Sequence, residues 1–186
     1  MRIISGKARG HALKAPKGLN TRPTTDRVKE SIFNIIQSRL NESVVIDLFS
    51  GSGNLGIESL SRNANKAYFV DNNINSINSI NENLKKTSLI DSSVVYQMDV
   101  IAAIEKIANQ NIKADIIFLD PPYSKNLVTP ILEKIFCSEI LHLDGIIIVE
   151  HRKTDEVPSN INGLQKYRTK KYGDIAVSFY ELRKEI

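Results

Sequence analysis

The sequence predicts an α/β fold: a seven-stranded, mostly parallel sheet with helices on both faces and a short N-terminal β-hairpin. Three observations predict it. Short apolar runs alternate with segments whose apolar residues recur at helical spacing, the pattern of strands joined by helical crossovers. A glycine-rich turn joins one such run to the next helix. The last two strand-like runs follow one another without a helix between them and so pair antiparallel.

Residues 2–15 are β-compatible and punctuated by Gly6 and Gly10, which predicts the hairpin. Pro16 to Pro23 reads as a loop. Thr24 or Thr25 can cap a helix to about Leu40, with Val28, Ile32, Ile35 and Ile36 on one face. Val44 to Leu48 is a buried strand, followed by a helix over about Leu55 to Arg62. Ala67 to Val70 is the next strand and Ile74 to Lys86 the next helix. Val94 to Met98 is the third strand and Ile101 to Ala108 its helix. Ile116 to Leu119 is the fourth, followed by a helix from Leu127 to Phe136 and a fifth strand from Ile146 to Val149. Gln165–Lys170 and Ile175–Leu182 complete the sheet. Residues 1–20 read as a basic extension and 21–186 as the main domain, with no repeat or linker. The asparagines between Asn63 and Asn83 read as the bias of a solvated helix.

At 186 residues and 41% hydrophobic, the chain can bury the core of one domain. No apolar run approaches a membrane span, and no signal-peptide apolar region follows Met1. The single cysteine excludes an internal disulfide, and no Cys/His spacing suits a metal. Cys137 follows Ile135-Phe136 and is expected to be a buried thiol; a cytoplasmic protein is expected. Residues 1–30 carry eight basic groups against two acidic ones, whereas the rest of the chain is slightly acidic. Positive charge is thus an N-terminal property, suited to phosphates, and Lys7, Arg9 and Lys14 are the candidate contacts. A second cluster, Lys166, Arg168, Lys170 and Lys171, has no assignable face.

Asp120-Pro121-Pro122-Tyr123 follows the fourth strand. Each proline fixes its own φ and biases the residue before it toward extended backbone. A carboxylate, a carbonyl and an aromatic ring are therefore held rigidly where a flat, amino-bearing base could stack and donate its hydrogens. A Pro-Pro turn with a buried tyrosine is the bland alternative. Upstream, Asp47-Leu48-Phe49-Ser50-Gly51-Ser52-Gly53-Asn54-Leu55-Gly56 sets Gly-x-Gly-x-x-Gly between a strand and a helix. Asp71, with Asn72 after it, ends the next strand and suits ribose hydroxyls. Asp47 would oppose a pyrophosphate but suits an ammonium group. Asp99, followed by Val100, can accept from an adenine amine or simply cap the next helix.

These motifs resemble those of class I S-adenosylmethionine-dependent methyltransferases, whose fold is Rossmann-like. More narrowly, the chain resembles the bacterial RsmD family. Arg2 to Gly6, Arg22 to Asn34, Leu55 to Arg62 and Lys171 to Asp174 carry that resemblance, in the family's order. The resemblance implies transfer of a methyl group to the exocyclic N2 amine of guanine 966 in 16S rRNA, within the small ribosomal subunit or its assembly intermediate. It implies catalysis at Asp120, Pro121, Pro122 and Tyr123, with Tyr123 also stacking on the base. It implies a cofactor site of Asp47, Phe49, Ser50, Gly51, Ser52, Gly53, Gly56, Asp71, Asn72, Asp99 and Val100. The segment of Arg22, Thr24 and Arg27 would close over the methionine end, with Arg22 and Thr24 at the cofactor and Arg27 bordering the RNA, unless Thr24 only caps its helix and Arg22 and Arg27 only meet solvent. A monomer is expected. An adenine-N6 methyltransferase is the runner-up, because the same tetrapeptide serves that amine. A nicotinamide-dependent oxidoreductase is disfavoured by Asp47 and the Asp-Pro-Pro-Tyr segment, and a non-catalytic RNA-binding module by the full set of site residues.

Overall fold

The computed structural model describes residues 1–16, 26–122 and 127–183. Arg22, Thr24 and Tyr123 therefore lie outside the described residues. The elements run α1 (Asp26–Ile36), β1 (Val44–Leu48), α2 (Asn54–Ser61), β2 (Lys66–Asp71), α3 (Ile74–Thr87), β3 (Ser93–Gln97), α4 (Val100–Asn109), β4 (Ala114–Leu119), α5 (Val128–Cys137), β5 (Leu141–Arg152), β6 (Asn160–Ile161), β7 (Leu164–Tyr172) and β8 (Ile175–Leu182). A 3₁₀ turn, Gln37–Arg39, extends α1 toward Leu40.

The sheet order is β3-β2-β1-β4-β5-β8-β7-β6. β1 to β5 are parallel and β8, β7 and β6 are added antiparallel. The eighth strand, beyond the seven expected, is the two-residue β6, too short to show a period in sequence. The central strands are continuous apolar runs because helices cover both faces. Val45, Phe118, Ile148, Val177 and Phe179 pack under α1, α2 and α3, while Ile46, Ile117, Ile147 and Tyr180 face α4 and α5. Strand order reverses between β1 and β4, and such a switch point opens a crevice beyond the carboxyl ends of the strands.

The N-terminal hairpin is reduced to one antiparallel bridge, Arg2 to Ala12, and Ile3, Ala8 and Leu13 are buried in the α1–α3 core. Gly6 lets this segment lie against α2: a Cβ there would stand 1.8 Å from the Ser61 carbonyl oxygen. A buried polar network fastens it. Lys29 Nζ meets Glu58 at 2.9 Å and donates to Asn54 Oδ1 at 2.9 Å and to the Arg2 carbonyl at 2.5 Å. Glu58 also accepts from the backbone N–H groups of Ile4 and Ser5 and from Arg62 Nε, at 2.8, 3.0 and 2.8 Å. Several of the residues that carry the family resemblance therefore hold the fold together.

Cys137 is exposed, contrary to the buried thiol expected. The buried stripe of α5 is Ile131, Leu132 and Ile135, and two residues beyond Ile135 is about 200° further round a helix.

Candidate active site

The carboxyl end of each parallel strand carries an acid. Asp47 is the penultimate residue of β1, Asp71 closes β2, Asp99 follows β3, Asp120 follows β4 and Glu150 lies near the end of β5. Asp47 and Glu150 are buried, and Asp120 is half-buried. Glu150 was not expected from sequence, although the repeated acid at strand ends was the signal that could have found it.

The Gly-rich turn is shaped by its own backbone. Phe49, Gly51 and Gly53 have φ of 60°, 56° and 77°, and a Cβ on Gly51 would meet nothing within 4 Å. The loop thus presents open space to the mouth. Phe49 is half-buried against the α4–α5 core. The Ser50 hydroxyl donates to the Asp47 carbonyl at 2.5 Å and accepts from Val70 N–H at 2.9 Å, a brace between β1 and β2. Ser52 is buried, its hydroxyl 3.3 Å from Met1 Sδ and its carbonyl accepting from Asn83 Nδ2 at 2.9 Å. Asn83 also receives Lys14 N–H at 2.8 Å, so this asparagine clamps the N-terminal segment to the loop instead of facing solvent.

Asp47 Oδ2 accepts from Gly56 N–H at 2.9 Å. Burial pushes its carboxyl up to about 7, with the Gly56 bond opposing and the Asp71 charge adding to the rise. Asp71 accepts from Gly51 N–H with one oxygen and from Asn73 N–H with the other, both at 2.9 Å, and each oxygen keeps a lone pair. Asn72 is exposed between them. Asp99 caps α4 through Ile101 N–H at 2.8 Å, the bland role. Val100 is buried at the start of α4.

Asp120 is held well above the usual carboxylate range by burial, then by Glu150 and then by Asp47. The register explains the first of these charges: Leu119 lies beside Val149, which puts Asp120 beside Glu150. Pro121 is buried and Pro122 exposed, and both line a cavity of about 380 Å³ with Leu127, Val128, Glu150 and His151. A larger apolar groove of about 610 Å³ opens at the other end of the strands, near Cys137 and Leu143, away from these acids. His151 is tied to Ser178 Oγ at 2.9 Å and to the Arg152 carbonyl at 2.8 Å.

Of the basic candidates, Lys7, Arg9 and Arg27 are exposed, while Lys14 pairs with Glu82 at 2.6 Å. The structure thus brings Asp47, Asp71, Asp120 and the Gly-rich turn together at one switch point, whereas Lys7 lies at the far end of α2, where its N–H donates to the Ser61 carbonyl at 2.8 Å.

Asp47 yields a prediction. A buried carboxyl with a raised value contributes stability below about pH 4 that is lost as pH rises through about 7. Asp47→Asn keeps an acceptor for Gly56 and lacks that loss, so the variant is expected to be more stable than wild type at pH 8 by on the order of a few kcal/mol. The advantage shrinks toward pH 4.5. Urea denaturation at both pH values measures it, and parallel pH profiles would contradict the burial of an uncompensated charge.

The family model described as Conserved hypothetical protein 95 matches residues 1–181. YlbH of Bacillus subtilis (strain 168) is 40% identical over 183 residues, covering 98% of this chain and 100% of that protein. Ribosomal RNA small subunit methyltransferase D of Haemophilus influenzae is 35% identical over 155 residues, covering 82% of this chain and 79% of that protein. The solved structure of yhhF from Escherichia coli superimposes with a TM-score of 0.86 at 29% identity, covering 100% of this chain and 99% of that one.

Proposed function

The chain belongs to the RsmD family, the one described as Conserved hypothetical protein 95, and from that membership we propose that it methylates the exocyclic N2 amine of guanine 966 in 16S rRNA. It is a methyltransferase of rRNA that uses S-adenosylmethionine. The observation that supports methylation of an exocyclic amine is the pair of Asp120 and buried Pro121 at the switch point, beside a cavity lined by Pro121, Pro122 and Glu150, while the choice of guanine 966 rests on the family membership alone.

The chain's residues fit this cofactor. The space beside Gly51 admits a ligand against the loop backbone, and Asp71 retains acceptor capacity for ribose hydroxyls. Asp47 is a buried carboxyl that accepts from Gly56 N–H, forms no ion pair among the described residues and would meet the ammonium of the methionine moiety. S-adenosylmethionine supplies a methyl group on a positively charged sulfur. Ser50 and Ser52 brace the loop, and Phe49, Gly53, Gly56, Asn72, Asp99 and Val100 complete its surroundings. Arg22 and Thr24 are proposed to close over the methionine end.

The guanine amine is a weak nucleophile because its lone pair is delocalised into the ring. Asp120 and the Pro121 carbonyl would accept its two hydrogens, which favours a pyramidal nitrogen. Fixing that nitrogen in orientation supplies much of the acceleration, and preorganised acceptors add an electrostatic contribution. Asp120, whose proton affinity is raised by burial and by Glu150, can take the proton that the methylated amine sheds. Pro122 keeps this turn free of a competing N–H. Tyr123 stacks on the base, worth about 1–3 kcal/mol. The basic extension, residues 1–20, with Lys7, Arg9 and Lys14, and Arg27 of α1, meet RNA phosphates.

The test offers labelled S-adenosylmethionine with small-subunit particles lacking the modification, with deproteinised 16S rRNA, or with DNA. Label in either RNA acceptor and none in DNA is the expected result. Label in DNA alone would overturn the reading.

A further inference from the structure

The second basic cluster lies in β7, which has four basic and no acidic residues between Leu164 and Tyr172. The register sorts them by face. Arg168 stands opposite Phe179 and Lys170 opposite Val177. Both partners belong to the core under α1, α2 and α3, and cross-strand partners share a face. Arg168 and Lys170 are therefore on the α1 side. Tyr172 is on that side too, and its hydroxyl hydrogen-bonds Ser31 of α1. Arg27 is exposed one turn before Ser31, on the same stripe of the helix. The bulge between Lys166 and Arg168 lays the Tyr167 ring against Phe179, with centroids 6.1 Å apart and the residue still 40% exposed. Lys171 alternates to the opposite face, and Lys166 donates to the Val157 carbonyl at 3.0 Å.

The same register places this stripe beside the site. Glu150 pairs with Val177, which pairs with Lys170, so Lys170 is two strand spacings, about 10 Å, from the acid next to Asp120. Lys14, Lys113 and Lys134 each meet a carboxylate, whereas among the described residues Arg168, Lys170 and Lys171 form no ion pair. The N-terminal extension packs on the other flank of α1, through Lys29, so the two basic clusters flank one helix on one side of the sheet.

We propose that Arg168, Lys170 and the ring of Tyr167, continuous with Arg27, form a second docking surface for the rRNA backbone next to the target base. This rests on the function proposed above. Its competitor is edge protection, since lysines also keep an open strand edge from pairing with another chain.

The experiment measures binding of an unmodified 16S rRNA transcript over a salt series. The proteins are wild type, Arg168→Ala/Lys170→Ala and Lys171→Ala, with S-adenosylhomocysteine affinity as the check on folding. The double variant is expected to bind about tenfold more weakly near 0.1 M salt, with the slope of log affinity against log salt reduced by roughly 1.4–1.8. Lys171→Ala is expected within about twofold of wild type. A double variant that binds like wild type, or an equal loss in Lys171→Ala, overturns the docking surface and leaves the methyltransferase reading standing. A wild type that binds neither the transcript nor unmodified small-subunit particles overturns both.

Discussion

Asp120→Ala is expected to lower methyl transfer by about 10²- to 10³-fold while S-adenosylhomocysteine affinity stays within about twofold. The size follows from the proposed role: one preorganised acceptor for the reacting amine, half-buried at the switch point. Asp120→Asn keeps a carbonyl acceptor and is expected to retain more activity than alanine. The pH profile carries a second signature. Burial, Glu150 and Asp47 all hold Asp120 toward its protonated form, so activity rises with pH as it ionises. Glu150→Gln removes the larger of the two like charges and is expected to move that rising limb to lower pH. Single-turnover rates across pH measure both effects. An Asp120→Ala enzyme with near wild-type turnover would refute the assignment, and an unmoved limb in Glu150→Gln would deny the coupling.

Glu58→Ala is expected to destabilise the fold by about 3–5 kcal/mol, the cost of leaving a buried charge without its partner. Lys29 and Glu58 have fully buried side chains, and Glu58 also accepts from Ile4, Ser5 and Arg62. Its loss therefore strands one charge and frees the N-terminal segment from α2. Burial lowers the Lys29 ammonium below its ordinary 10.5, and Glu58 is the main opposing influence. Without Glu58 the ammonium falls further, so the folded state binds fewer protons than the unfolded one over a wider range. Stability of the variant should then rise as pH increases toward about 10.5. Lys29→Met, which leaves Glu58 with Arg62 and two backbone donors, should cost less. Urea denaturation of both variants at pH 7 and pH 9.5 decides it, and a Glu58→Ala protein as stable as wild type would contradict the network.

Why Asp120 was legible and Lys29 was not has a physical cause. Ile116 to Leu119 is apolar without interruption because β4 is covered on both faces, so the strand, its end and the rigid turn beyond it could be read from local sequence. The Gly-rich turn and Asp71 were legible for the same reason. Lys29 and Glu58 look like ordinary exposed helix charges, and what buries them is a segment more than 20 residues away in sequence, through Arg2 and Ile4. Asn83 was hidden likewise by its bonds to Lys14 and Ser52. The face of each β7 cation depended on a bulge and on pairing with β8, neither of which has a local sign. Cys137 was misjudged on its neighbours' hydrophobicity when its angle from the Ile131–Ile135 stripe would have turned it outward.

The most direct measurement is the identity of the modified nucleoside. Wild-type and Asp120→Ala proteins would each be incubated with labelled S-adenosylmethionine and unmodified small-subunit particles, and the rRNA digested and analysed. The account predicts a single labelled N2-methylguanosine peak for wild type and its loss in the variant. Labelled N6-methyladenosine, or an N2-methylguanosine peak undiminished in Asp120→Ala, would contradict it.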